Sequence, residues 1–213
     1  MKPRRLIIPL VVLILIVAAG LVLHAQDSKT NAAITHFNAS LTHEAKDEYV
    51  DALKEMEAIP ADAKNDYAVL LRLGWVEYLN RKYDLSEKYY RQAVMASYTS
   101  IEALLGLTLP LAAKQDWAEV ETCYQKVLSI DPENYTAQLR LGQIYLNRGD
   151  YSGAAGHLAS VLEHYPANYE AVLSSAWNDY GLGRKDEARK LFERALMLSP
   201  GDTSAQRGLS SVK

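Results

Sequence analysis

Small and large apolar residues return along this chain at spacings of four and three, and the whole set returns every 34 residues. Frames opening at Ala33, Tyr67, Ile101, Tyr135 and Tyr169 run to Asp202. Position 20 of each frame is mostly small (Ala52, Ser86, Val120, Ala154, Ala188) and position 24 is large (Met56, Tyr90, Tyr124, Leu158, Phe192). Position 27 is apolar throughout (Ile59, Ala93, Val127, Val161, Ala195). Residues so spaced line one stripe of an α-helix. The small residue admits a neighbouring helix and the large one fills the space beside it. Position 34 holds Asp66, Ser100, Asn134, Asn168 and Asp202, all side chains that cap a helix by accepting from its free N–H groups. Pro132, Pro166 and Pro200 stand at position 32, where a proline stops a helix. Each frame therefore predicts two helices, the second ended near its proline and the next started by a cap. Arg-Leu-Gly in RLGWVEYLNRKY (72–83) recurs 68 residues later in RLGQIYLNRGDY (140–151), two frames on; the return of YLNR after 67 is local drift.

These landmarks resemble the tetratricopeptide repeat, a 34-residue helix-turn-helix with Leu-Gly, small, aromatic and Pro signposts. The resemblance covers residues 33–202 and is strongest in frames two to four, through Leu73-Gly74, Leu141-Gly142 and Asp131-Pro132. Frame five departs at Ser175-Ala176 and Lys185; frame one carries His36, Ala39-Ser40 and His43 at landmark positions, with Pro60 early in its second helix. The resemblance implies an all-α fold, a right-handed superhelical solenoid of about five repeats (33–66, 67–100, 101–134, 135–168 and 169–202), with residues 203–213 as a capping helix.

In such repeats, positions 2, 5, 6, 9, 12 and 13 face a concave groove that holds a partner. The resemblance thus nominates Leu71, Arg72, Trp75 and Tyr78 in frame two, and Leu105 and Leu109 in frame three. It adds Leu139, Arg140 and Gln143 in frame four, and Leu173, Trp177 and Tyr180 in frame five. Positions 5, 9 and 12 share one side of a helix, so Leu71, Trp75 and Tyr78 make a patch that Leu173, Trp177 and Tyr180 repeat three frames on. Trp, Tyr and Arg are the side chains that most often dominate binding energy. The uniformly apolar position 5 excludes the carboxylate clamp known in this family, which needs Lys there. Two other readings stand beside the groove: the leucines serve only to pack neighbouring first helices, or the polar segment after residue 25 folds back over them. Pro110, inside a first helix, predicts a tolerated kink.

The first 25 residues follow a different pattern. MKPRR is basic and Leu6–Leu23 is an uncharged apolar run of 18 residues. That describes a secretory signal peptide ending at Ala25, or an uncleaved anchor through residues 6–23. In either case the basic stub stays cytoplasmic and the repeats, after a polar linker at 26–32, face the other side. Without Lys2, Arg4 and Arg5 the formal charge of −3 becomes −6, and no basic patch suggests nucleic acid. Hydrophobic residues make up 49% of the chain, enough for a real core, and the single Cys123 excludes an intrachain disulfide or a cysteine-based zinc site. His36 and His43, like His157 and His164, are seven apart with no third ligand. No nucleophile, phosphate-loop or metalloprotease motif occurs. The sequence therefore predicts a non-enzymatic adaptor without a cofactor, in a bacterial periplasm or anchored in the inner membrane, binding a protein or peptide segment. A self-associating envelope protein, stacked through its degenerate first frame, is the runner-up, and an accessory subunit contacting polysaccharide is the third reading.

Overall fold

A computed structural model describes residues 29–212, and within them every regular element is helical. The expected signal or anchor, and residues 26–28 of the expected linker, lie outside the described residues. Residues 29–32, read from sequence as linker, are instead part of the first helix. Among the described residues no helix is long and apolar enough to cross a membrane.

The described residues fall into two compact units, divided between Tyr98 and Thr99. The first holds α1 (29–44), α2 (Tyr49–Ala58), α3 (Tyr67–Leu79) and α4 (Tyr83–Ala96). The second holds α5 (Ile101–Ala113), α6 (Trp117–Ile130), α7 (Tyr135–Arg148), α8 (Tyr151–His164), α9 (Tyr169–Gly181), α10 (Lys185–Leu198) and α11 (Thr203–Ser211). From Tyr49 onward, helices begin at positions 1 and 17 of every frame, so both series keep the 34-residue step. The expected fifteen stripe residues at positions 20, 24 and 27 are all buried, because each sits between its own helix pair and a neighbour.

The caps form as their chemistry requires. Asp66 accepts from the Ala68 and Val69 amides, Ser100 from Ala103, Asn134 from Ala137, Asn168 from Ala171 and Asp202 from Ala205. Each satisfies a first-turn N–H that has no partner inside the helix. The turn inside each repeat is equally uniform. Position 15 is left-handed in all five, as Asp47, Arg81, Gln115, Gly149 and Gly183, with φ between 59° and 80°. The amide of position 16 then donates to the carbonyl of position 11, from Glu48 to His43 through Arg184 to Asp179. This hydrogen bond closes the first helix and turns the chain back on itself.

Frame one departs at its second helix. The second helices of the other four frames end at position 30, but α2 stops at Ala58, four residues sooner. Ile59 is extended at φ −58°, ψ 133°, the conformation imposed on a residue before proline, here Pro60. In α5 the helix runs through Pro110 to Ala113, and Thr108 Oγ1 donates to the Leu105 carbonyl at 2.7 Å.

Candidate functional site

The predicted contact residues lie on first helices of both units, and packing treats them unequally. On α3, Arg72 is only 8% exposed. Its Nε donates to Ser40 Oγ at 3.2 Å, one terminal nitrogen to the Ser40 carbonyl at 2.9 Å and the other to the Glu44 carboxylate. Trp75 Nε1 donates to the other Glu44 oxygen at 2.7 Å. The expectation that Arg72 meets a partner is corrected: its guanidinium is consumed in binding α1 to α3. A charge withdrawn this far from water needs such a full set of acceptors. Trp75 and Leu71 are half-buried, and Trp75 stacks on Tyr78 with ring centroids 5.8 Å apart and planes 25° apart.

In the second unit Leu139 is 2% exposed and lies in a core with Ala154, Leu158, Val161 and Ala171, so it too is withdrawn from any surface. Leu105, Leu109 and Leu173 are half-buried. Trp177 meets the Phe192 ring edge-on at 5.0 Å and donates from Nε1 to Ser204 Oγ at 3.0 Å. That locks the indole on the core, and the neighbouring Tyr180, 5.8 Å away by ring centroids and 38% exposed, faces water. On α7, exposed Arg140 donates to Gln143 Oε1 at 2.7 Å and to Glu170 Oε2 of α9 at 3.0 Å. Gln143 donates to the same Glu170 oxygen at 3.4 Å. The Trp–Tyr echo therefore exists as two ring pairs at one distance but in two orientations, stacked on α3 and edge-on on α9.

Sequence reasoning missed the acceptors. Glu44 stands at position 12 and Glu170 at position 2 of their frames, both positions that the family resemblance already turned toward the groove, and Ser204 lies in the capping helix after the last frame; only the donors were read. It also missed Trp117, 50% exposed at the start of α6 and bordering a cleft of about 370 Å³ with Ile144, Asn147 and Arg148.

Two carboxyls, Glu77 buried and Asp179 half-buried, occupy the same place in the repeat. Burial pushes the carboxyl of Glu77 above its usual range, against the opposing effect of Lys82 at 3.9 Å. Burial does the same to Asp179, against Arg184 at 3.5 Å. Both stand at position 11, with their basic partner at position 16. These pairs hold the turn between the two helices rather than face a ligand. Among the described residues no group of three His, Cys, Asp or Glu is placed to hold a metal ion.

The profile of the tetratricopeptide repeat matches residues 111–159 and 146–211. Tetratricopeptide repeat protein 8 of Caenorhabditis elegans is 24% identical over 151 residues, 70% of this chain and 30% of that one. The chain spans only 12 to 30% of the length of the curated relatives it matches. Among solved structures, a tetratricopeptide repeat protein from Parabacteroides merdae superposes with TM-score 0.75 and 20% identity, over 85% of this chain and 72% of that one. YrrB, described as a tetratricopeptide repeat protein with an unusual peptide-binding site, gives 0.71 and 16% identity over 88% and 96%. These likenesses establish the helical-repeat fold.

Proposed function

We propose, from the match of residues 111–211 to the profile of the tetratricopeptide repeat, that the chain is an adaptor without enzymatic activity, working outside the cytoplasm and holding a peptide or helix of a larger assembly. Helical repeats of this kind are protein-interaction scaffolds. The basic stub and the apolar run Leu6–Leu23 support the location. The YrrB likeness supports a peptide as the kind of partner, since that protein is described by such a site.

The observation that carries the reading is Tyr180. An aromatic ring more than a third exposed, on a helix whose neighbouring Trp177 is fixed by Ser204 and Phe192, is a rigid anchor that loses little freedom on binding. The Arg140–Gln143–Glu170 cluster on α7 and α9 supplies polar groups at the same layer of first helices. The partner segment that fits offers an apolar or aromatic side chain to Tyr180 and hydrogen-bonding groups to the cluster.

The test is capture from native envelope extract by the full chain, held in mild detergent, beside Tyr180→Ala and Arg140→Ala/Glu170→Ala variants of equal helicity. The reading expects one protein captured by the wild type and lost or reduced at least about tenfold by the variants. Equal capture by all three would remove this surface from the function.

A further inference from the structure

We propose that the outward face of α1 is a seam through which two copies of this chain associate, their α1 helices parallel and related by a two-fold axis. Between residues 31 and 45 the exposed positions are Asn31, Ile34, Thr35, Asn38, Leu41, Thr42 and Ala45. Their alternating steps of three and four form the heptad pattern of a two-stranded coil: Asn31, Asn38 and Ala45 fall at the first core position, Ile34 and Leu41 at the second. Ile34 is 54% exposed and Leu41 45%, two large aliphatic side chains held in water one heptad apart.

The chemistry of this face specifies its occupant. Around a two-fold axis each side chain meets its own kind, so a charge on the seam meets an identical charge. The α1 seam has none. Every ionisable side chain of α1 lies off this stripe and is paired within the first unit: exposed Lys29 with Asp62, His36 with Glu55, His43 with Glu48, and Glu44 with Arg72 and Trp75. The two threonines also spend their polarity inside the helix. Thr35 Oγ1 donates to the Asn31 carbonyl at 2.9 Å and Thr42 Oγ1 to the Asn38 carbonyl at 3.1 Å. Their methyl groups are thereby freed to flank the seam.

Asparagine at the first core position is the residue that pairs with itself across a parallel two-stranded seam, each amide donating to the other's oxygen, and it selects that pairing over other registers. A partner of different sequence has no need for a charge-free face or a self-complementary amide; a second copy needs both. Ile34 and Asn38 also border a cleft of about 660 Å³ lined by apolar Ala33, Phe37, Ala63 and Val69 and by Asp62, Asn65 and Asp66; its two carboxylates are engaged, Asp62 with Lys29 and Asp66 with the first amides of α3. Two heptads make a small contact, and the pair is reversible. The seam belongs to the first unit and the Tyr180 surface to the second, so either proposal stands if the other fails.

Sedimentation velocity of the full chain in mild detergent, from about 1 to 100 µM, reads the association. The expected result is a dimer whose fraction rises with concentration, weakened at least about tenfold by Leu41→Asp at unchanged helicity and unchanged partner capture. Mild oxidation of an Asn38→Cys variant gives a disulfide-linked homodimer, since the axis sets residue 38 against itself; the wild type, whose Cys123 is buried, and a Ser211→Cys variant give none. A monomer at all concentrations, a dimer indifferent to Leu41→Asp, or cross-linking of Asn38→Cys only to a different protein overturns the proposal.

Discussion

Two glycines show how much one carbon atom decides. At Gly142 an added Cβ would lie 2.7 Å from a Leu158 methyl carbon, whereas at Gly156 nothing stands within 4 Å. Gly142→Ala is therefore expected to cost about 1–3 kcal/mol through overpacking. Gly156→Ala, exposed in the middle of α8, gains on the order of 0.5–1 kcal/mol from the stiffer unfolded chain and better helix propensity. Urea unfolding of the two variants measures both signs in one experiment. Glu77 makes a pH-dependent case. One of its carboxylate oxygens is buried without a hydrogen-bond partner, and burial raises its pKa above 4.5. A carboxyl raised in the fold destabilises it when ionised, and that cost is relieved as pH falls through the folded pKa. Glu77→Gln is accordingly expected to stabilise by on the order of 1 kcal/mol at pH 7. The advantage disappears below the ordinary value of 4.5, where both states carry a neutral acid. Thermal unfolding of wild type and variant at several pH values reads the crossover; an advantage that persists unchanged at low pH contradicts the assignment.

At the scale of the element, the turn between paired helices explains why the repeats differ in sequence yet not in geometry. Gln115 takes a left-handed conformation at φ 64° where repeat four uses Gly149 at φ 80°. A side chain there costs about 1 kcal/mol, so Gln115→Gly is expected to raise stability by up to that amount and Gly149→Ala to lower it similarly, again by urea unfolding. What the sequence made legible at this scale is what is local. Each cap is three residues or fewer from the amide it serves, and the stripe at positions 20, 24 and 27 needs only helical periodicity to be read. The early end of α2 was visible in Pro60, although a rigid 34-residue frame runs past it. Arg72 was not legible. Its acceptors, Ser40 and Glu44, lie 32 and 28 residues away on another helix, and only the packing of α1 on α3 makes a surface-looking arginine an interior one. Leu139 was misplaced for the same reason: its helix turns it into the core beside Leu158.

At the scale of the whole molecule, the two units carry different surfaces. The first binds α1 with a buried arginine and presents a charge-free seam; the second carries an exposed tyrosine on a locked tryptophan and a three-residue polar cluster. The adaptor reading joins the second to a partner and requires that binding leave a local mark. Amide hydrogen exchange, read peptide by peptide with and without the captured protein, reports this directly, because a bound segment slows the opening of the backbone it covers. The account predicts slowed exchange concentrated in Tyr135–Arg148 and Tyr169–Gly181, with the second helices Tyr151–His164 and Lys185–Leu198 unchanged. Protection confined to those second helices, with α7 and α9 exchanging as before, contradicts it.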